Sequence, residues 1–525
     1  MKVRIFGQRI PEDTQTFSLG GPEVQDLSDL TKLPALRELI LVGVGATDFS
    51  VLRELKNLVL LYVERCEGFT DCTVLEPLIK LESLVLTECP ISNVTSLQKL
   101  KRLRHLTLLG EKITSLKGLC KLPLLEELYL TCEAPTLEGL SDLPALRNLR
   151  LVNCSELQSL DGILGFFDLR LLYIGVSLFS QNKGKLRQLP DLRGLPDLNQ
   201  VTLEDLAIQD ISGLWGTEVE TLEIRNSDVR DIDALPMMLN LKDLRIEQCE
   251  LIRDFGPLEE CKLRTLVLDR TKFTDQDLEY LQDMRDLEML DLGGTEVTDL
   301  SPIAHLRNLK RLYLRDTPVI SLAPIQRAIR KGLSILEYAP PTIQFMFGAF
   351  RLDEESLAVW GEHTTEKELE TLKKFPNLRH LTIRDCPNLT DLFALEELQN
   401  LKTLSIIDCP NLTTLQSLRD LENIRHLTIA GCPKIESLEP IELHQLEHLV
   451  LAECKGIESL EPLRTMPLQT LFLMGTGVEF LDALEGKHCH VYGMGQCGEI
   501  SRDFFKNDKV WVDEQWVAFN PSERE

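Results

Sequence analysis

The feature that most constrains this chain is a spacing that returns along nearly its whole length. In the stretch LEMLDLGGTEVTDLSPIAHLRN, Leu287, Leu290 and Leu292 fall at positions 1, 4 and 6 of a turn, and Thr295 falls at position 9. Val297, Leu300, Ile303 and Leu306 follow at two- to three-residue intervals, and the next copy begins at Leu309. The first half alternates, so Leu290 and Leu292 share one side of a short strand and Asp291 takes the other. The second half has an apolar residue every third position, the rhythm of a tight helical turn. Asp299 or Ser301 can cap that turn, and Pro302 suits its first position, where no backbone N–H is needed.

Copies begin at Leu36, Leu58, Leu81, Leu103, Leu125, Leu146, Leu169, Leu198, Val219, Leu241, Leu263, Leu287, Leu309 and Leu333, and again at Leu378, Leu401, Ile424, Leu446 and Leu468. The pattern resembles the leucine-rich repeat family, L-x-x-L-x-L-x-x-(N/C/T)-x-L. More narrowly it resembles the short-repeat class of about 22 residues found in bacterial internalins and in the leucine-rich regulator of protein phosphatase 1. The resemblance implies an α/β fold. It would be a horseshoe solenoid with a parallel concave β-sheet and short helical or irregular convex segments. It implies no reaction, because members share an architecture and not a chemistry.

Placing the cysteines on the turn changes their meaning. Of the 14, Cys66, Cys89, Cys154, Cys249, Cys386, Cys409, Cys432 and Cys454 occupy position 9, where other turns carry Ser227, Thr271, Thr295, Thr317 and Thr476. In the family this is an inward ladder position that wants a compact side chain able to donate to backbone carbonyls. Equivalent side chains on stacked turns run parallel, so reduced thiols are expected, as in a reducing compartment.

Asp plus Glu number 83 against 57 Lys plus Arg, a formal charge of −26. This disfavours nucleic acid or an anionic membrane as the partner, since both need a basic face. The start, MKVRIFGQRIPEDTQTF, is broken by Lys2, Arg4 and Arg9 and is no secretory signal. No apolar run approaches the ~20 residues of a membrane span. The expectation is a cytoplasmic protein, monomeric by itself, with neither nucleic acid nor membrane as partner.

Five regions follow from the repeat: an N-terminal cap over 1–35, a first array over 36–338, a seam or degenerate repeat over 339–377, a second array over 378–485 and a C-terminal cap over 486–525. The seam holds Pro340-Pro341, the apolar run Ile343 to Phe347, and a weak strand at Leu357–Val359. Its aromatics are read as buried at the seam, the alternative being a docking surface. An insertion at 177–194 carries Lys183, Lys185, Arg187 and Arg193. It is either a contact loop for an acidic partner or a tolerated excursion.

A long parallel sheet presents its side chains at positions 2, 3, 5, 7 and 8 as a rigid recognition surface. Tyr62, Tyr129, Tyr173, Tyr313 and Phe472 share position 5 and are the candidate partner-binding residues, together with Lys183, Lys185 and Arg187 of the insertion. Charges of both signs fill positions 7 and 8, where ladders between turns can absorb them. His105, His380, His426 and His448 share position 3, with His426 and His448 on adjacent turns.

No phosphate-binding G-x-x-x-x-G-K-[ST] and no H-E-x-x-H occurs. His444 and His448 have the spacing of a zinc helix, but His448 falls on a strand. His488, Cys489, His490 and Cys497 resemble a metal or nucleophile cluster in composition only. The sequence therefore reads as a non-enzymatic protein-interaction module without cofactor or metal, acting as scaffold or regulatory subunit. The alternatives are an effector or immunity protein that neutralises an enzyme or toxin by occlusion, or an enzyme with an unrecognised site in the C-terminal cap.

Overall fold

The computed structural model describes residues 2–6, 8–110, 113–176, 183–345, 348–441, 445–485, 489–492, 509–512 and 515–518. It divides into two compact units, Met1–Ala339 and Pro340–Glu525.

In the first unit a 15-stranded sheet runs in strict chain order from Thr16–Gly20 to Ser334–Leu336. Every pairing in it is parallel, and equivalent positions of successive turns lie opposite one another: Leu39 beside Leu61, Leu61 beside Leu84, Leu290 beside Leu312. Positions 4 and 6 point inward and are sealed from solvent, as with Leu61 and Val63 or Leu290 and Leu292. The three-residue rhythm of the second half becomes 3₁₀ turns such as Ser50–Glu54 and Gly256–Glu260. At Ser301–Ile303 the Asp299 side chain accepts the Ser301 N–H at 3.0 Å, and Pro302 sits in the first turn. This is the architecture of a leucine-rich-repeat solenoid: each turn covers its apolar side only with its neighbours. An antiparallel hairpin, Lys2–Ile5 with Gln8–Pro11, precedes the first parallel strand and places Ile5 in the core.

Each strand leaves the sheet through a shared corner. Position 8 adopts the left-handed conformation in turn after turn, in Gly43, Arg65, Glu88, Asn153, Asp205, Asn226, Gln248, Arg270, Gly294, Asp316, Asp385, Asp408 and Glu453 among others. That reversal turns position 9 inward, where the small residue donates back to the strand. Cys66 Sγ donates to the Glu64 carbonyl at 3.3 Å, Thr271 Oγ1 to the Leu268 carbonyl at 2.8 Å, and Thr295 Oγ1 to the Leu292 carbonyl at 2.6 Å. The turn that starts at Leu125 lacks the left-handed corner, and there Cys132, at position 8, is the buried residue. The ladder thus includes a cysteine that counting by position omits.

The second unit has a seven-stranded parallel sheet from Ser356–Trp360 to His490–Tyr492, again in chain order. Before it lies an antiparallel hairpin, Thr342–Phe345 with Gly348–Arg351. Phe345 is buried in this unit's core, 5.9 Å from the Phe375 ring and 6.0 Å from Phe350. A capping box, Thr365 with Glu368, starts the helix Glu366–Leu369. A hairpin of Lys509–Val512 with Gln515–Ala518 lies near the C-terminus.

Candidate protein-binding face

The solvent face of the 15-stranded sheet is built from positions 3, 5 and 7, because the pleat sends positions 4 and 6 into the core. Much of its charge is matched internally. Glu223, Arg225, Arg245 and Glu247 form a quartet of alternating sign, with nitrogen–oxygen distances of 2.9 to 3.9 Å. Arg315 reaches across two turns to Asp269 at 2.7 Å and lies 3.6 Å from Glu337. Burial raises the Asp291 carboxyl beneath this network, and Asp269 and Glu337 push in the same direction. Along the edge at position 2, Arg104 pairs with Glu126, Lys242 with Glu220, and Arg264 and Lys310 both with Glu288.

The nominated aromatics divide into distinct environments. The Tyr62 hydroxyl donates to its own strand neighbour, Glu64 Oε2, at 2.6 Å. Tyr129 and Tyr173 lie two strands apart, with Arg150 in register between them at the same position. The Arg150 guanidinium carbon is 5.3 Å from the Tyr129 ring centre and 5.7 Å from that of Tyr173. The Tyr173 hydroxyl donates to Glu204 Oε2 at 2.7 Å, and burial together with that carboxylate raises its pKa, keeping it a donor. Gly175, two residues on, leaves the space this ring occupies: a Cβ there would lie 2.4 Å from the Tyr173 hydroxyl oxygen. Tyr313 is half-buried between Asp291 and Leu336 on adjacent strands. Phe472, in the seven-stranded sheet, is only 4% exposed and so offers almost no contact surface.

The insertion is tied back to its own chain. Lys183 pairs with Asp228 at 2.7 Å and Lys185 with Glu156 at 2.5 Å, while Arg193 forks onto Asp191. Arg187 is exposed. Residues 177–182 of the insertion lie outside the described residues, as do His444, His488 and Cys497. His105 lies 3.2 Å from Glu127, and the His426 and His448 rings stack in register. Among the described residues no group of three or more His, Cys, Asp or Glu side chains is arranged to hold a metal ion, and no helix is long and apolar enough to cross a membrane.

Sequence position alone missed Arg150. It carries the same index as the tyrosines on either side, so the signal was a Tyr–Arg–Tyr alternation at position 5 over three successive turns.

No family model and no curated protein matches the sequence. Similar solved structures include an internalin (inlF) from Listeria monocytogenes, 19% identical, covering 76% of this chain and 89% of that one with a TM-score of 0.40. A leucine-rich repeat protein from Leptospira interrogans is 17% identical over 83% of this chain and 90% of that one, with a TM-score of 0.37. A plant peptide hormone receptor, RGFR1 in complex with RGF2, is 16% identical over 91% of this chain and 80% of that one, with a TM-score of 0.37. The fold assignment rests on the register, burial and corners of this chain itself.

Proposed function

We propose that this chain is a non-enzymatic binding module that holds a protein partner on the solvent face of its 15-stranded sheet, as a scaffold or regulatory subunit. The observation that carries the reading is the aromatic column at position 5, where Tyr62, Tyr129, Tyr173 and Tyr313 stand half-buried on a rigid in-register sheet. Tyr62 and Tyr173 are held by Glu64 and Glu204, and Tyr129 lies against Arg150, before any partner arrives, which lowers the entropy lost on binding. Tyrosine offers a large contact area with few rotatable bonds, the property that makes it frequent at binding hot spots.

The test is affinity capture from the native cells with the parent chain and two variants. One carries Tyr62→Ala and Tyr313→Ala on the sheet face, the other Lys99→Ala in the 3₁₀ segment Thr95–Lys99. A stoichiometric protein that is lost with the sheet-face variant and retained with the Lys99 variant supports the reading. Capture of nothing, or equal capture by both variants, contradicts it. An enzyme as partner, with activity blocked in the complex, would place the chain with neutralising proteins instead of scaffolds.

A further inference from the structure

We infer that Arg150 is the position at which the sheet face reads an acidic side chain, an Asp or Glu carboxylate presented by the protein partner. This rests on the reading of the sheet face as the binding surface and adds the chemistry of one contact.

A guanidinium brings five N–H donors in a rigid fork, shaped to meet a carboxylate with two parallel hydrogen bonds. The Arg150 fork is held between the Tyr129 and Tyr173 rings, and Tyr173 is itself held by Glu204. Its Nε is sealed from solvent and meets no hydrogen-bond acceptor. The terminal nitrogens bond no group among the described residues and are not among the sealed ones, so they reach solvent. A guanidinium half-enclosed by apolar ring faces and lacking its counter-charge is strongly attractive to an anion, because the rings keep competing water away.

The neighbours fit the same reading. Arg147 and Arg170 flank Arg150 at position 2 of its own and the next strand, both exposed and without an ion pair among the described residues. Arg104, Lys242, Arg264 and Lys310, at the same position on other turns, have carboxylate partners, whereas Arg37 on the first of these turns also has none among the described residues. The acids nearest the fork in register are already engaged: Glu127 with His105 and Asn148, Glu204 with Tyr173. The following strand has Asn199 at position 2 and Thr202 at position 5, and its one acid on this face, Glu204, is the one already held by Tyr173. In a chain of formal charge −26, an uncompensated arginine on a face that matches much of its charge internally, with two unpaired arginines along the edge of the same two strands, marks where an acidic segment docks.

The experiment uses the full chain. Random short peptides displayed with no free C-terminus are selected against it. The enriched sequences are then made with amidated C-termini and their Kd measured by fluorescence anisotropy. Selected peptides are expected to be enriched in Asp or Glu. Arg150→Met keeps the stem between the rings but removes the fork, and should weaken binding about tenfold or more. Replacing the peptide's key acid by its amide should cause the same loss, and adding both changes together should cost little more. Arg150→Lys, which keeps charge without the fork, should not restore parent affinity. Peptides without acidic enrichment, or ones that bind the Met variant as tightly as the parent, overturn the inference. If such peptides are lost on Tyr62→Ala or Tyr313→Ala, the sheet face stands and only the role of Arg150 falls. Peptides indifferent to every sheet-face substitution, or a selection that yields none, count against both.

Discussion

The imidazole rings of His426 and His448 lie stacked on neighbouring strands, with centres 4.6 Å apart and planes 8° from parallel. His448 Nδ1 is 2.6 Å from Thr470 Oγ1 on the next strand. Partial burial depresses both imidazoles, that of His426 to about 4, where His448, His380 and Arg425 add to the effect and Glu447 opposes it. Arg425 and Glu447 stand 3.5 Å apart alongside the pair. The folded state therefore holds these rings neutral, whereas the unfolded chain takes up protons below its ordinary value near 6.5. The pair's contribution to stability is complete above about pH 6.5 and is lost as pH drops toward 4. After allowance for solvent screening the loss from His426 is about 1 kcal/mol. Thermal melts of the parent and of His426→Gln across this window check it: the variant should show a shallower acid slope, and identical slopes would exclude the pair as its source.

Gly175→Ala tests how the aromatic site is supported. The added carbon would meet the Tyr173 hydroxyl at 2.4 Å and Cζ at 2.7 Å, so the ring must leave Glu204 and uncover Arg150. A cost of about 1 kcal/mol in stability is expected. Loss of peptide binding should match that of Tyr173→Ala. Parent-like affinity in Gly175→Ala would mean that the ring's resting position does not matter.

Cys132 and Cys154 are the thiols to watch under oxidation. Their sulfurs are 3.5 Å apart, both groups are buried, and the Cys132 thiol is lowered by its contact with Cys154 while that of Cys154 is raised. Hydrogen peroxide would take both thiols to a disulfide, the two protons and two electrons they give up reducing it to two waters. Peptide mapping after graded peroxide should find the Cys132–Cys154 crosslink before any crosslink among Cys386, Cys409, Cys432 and Cys454. Cys132→Ser should abolish that early product.

Leu404 is sealed in the second unit's core, on the strand Thr403–Ile407. Leu404→Ala should cost about 2–5 kcal/mol through lost burial and the cavity left behind. Because a turn touches only its neighbours, hydrogen exchange should quicken mainly within 378–450 and leave Leu36–Leu333 unchanged. Uniform quickening along the whole chain would show a cooperativity that nearest-neighbour stacking does not provide.

Much of this fold was readable because its period carries both strand and turn. The inward leucines, the position-9 ladder and the Asp299–Ser301 cap all follow from local pattern. The corner was not readable in that way. Left-handed backbone at position 8 falls on Gly, Asn and Asp in many turns, which tolerate it, but also on Arg65, Glu88, Arg270 and Glu453, so composition there gives only part of the signal. Cys132 was missed for the same reason: its turn omits that corner, and the inward residue arrives one place early. The candidate face was legible as a column of tyrosines. Its pairings were not, since Lys183 with Asp228 joins residues 45 apart, and the burial of Phe472 depends on packing that the repeat does not encode.

The most direct test of the sheet-face account is hydrogen exchange of the full chain, alone and with its captured partner bound. Protection should concentrate in the strands Glu127–Leu130, Asn148–Val152 and Leu171–Gly175, around Arg150, and the 3₁₀ segments on the opposite side of each turn should be unchanged. Protection confined to those 3₁₀ segments, with the three strands unaffected, would contradict it.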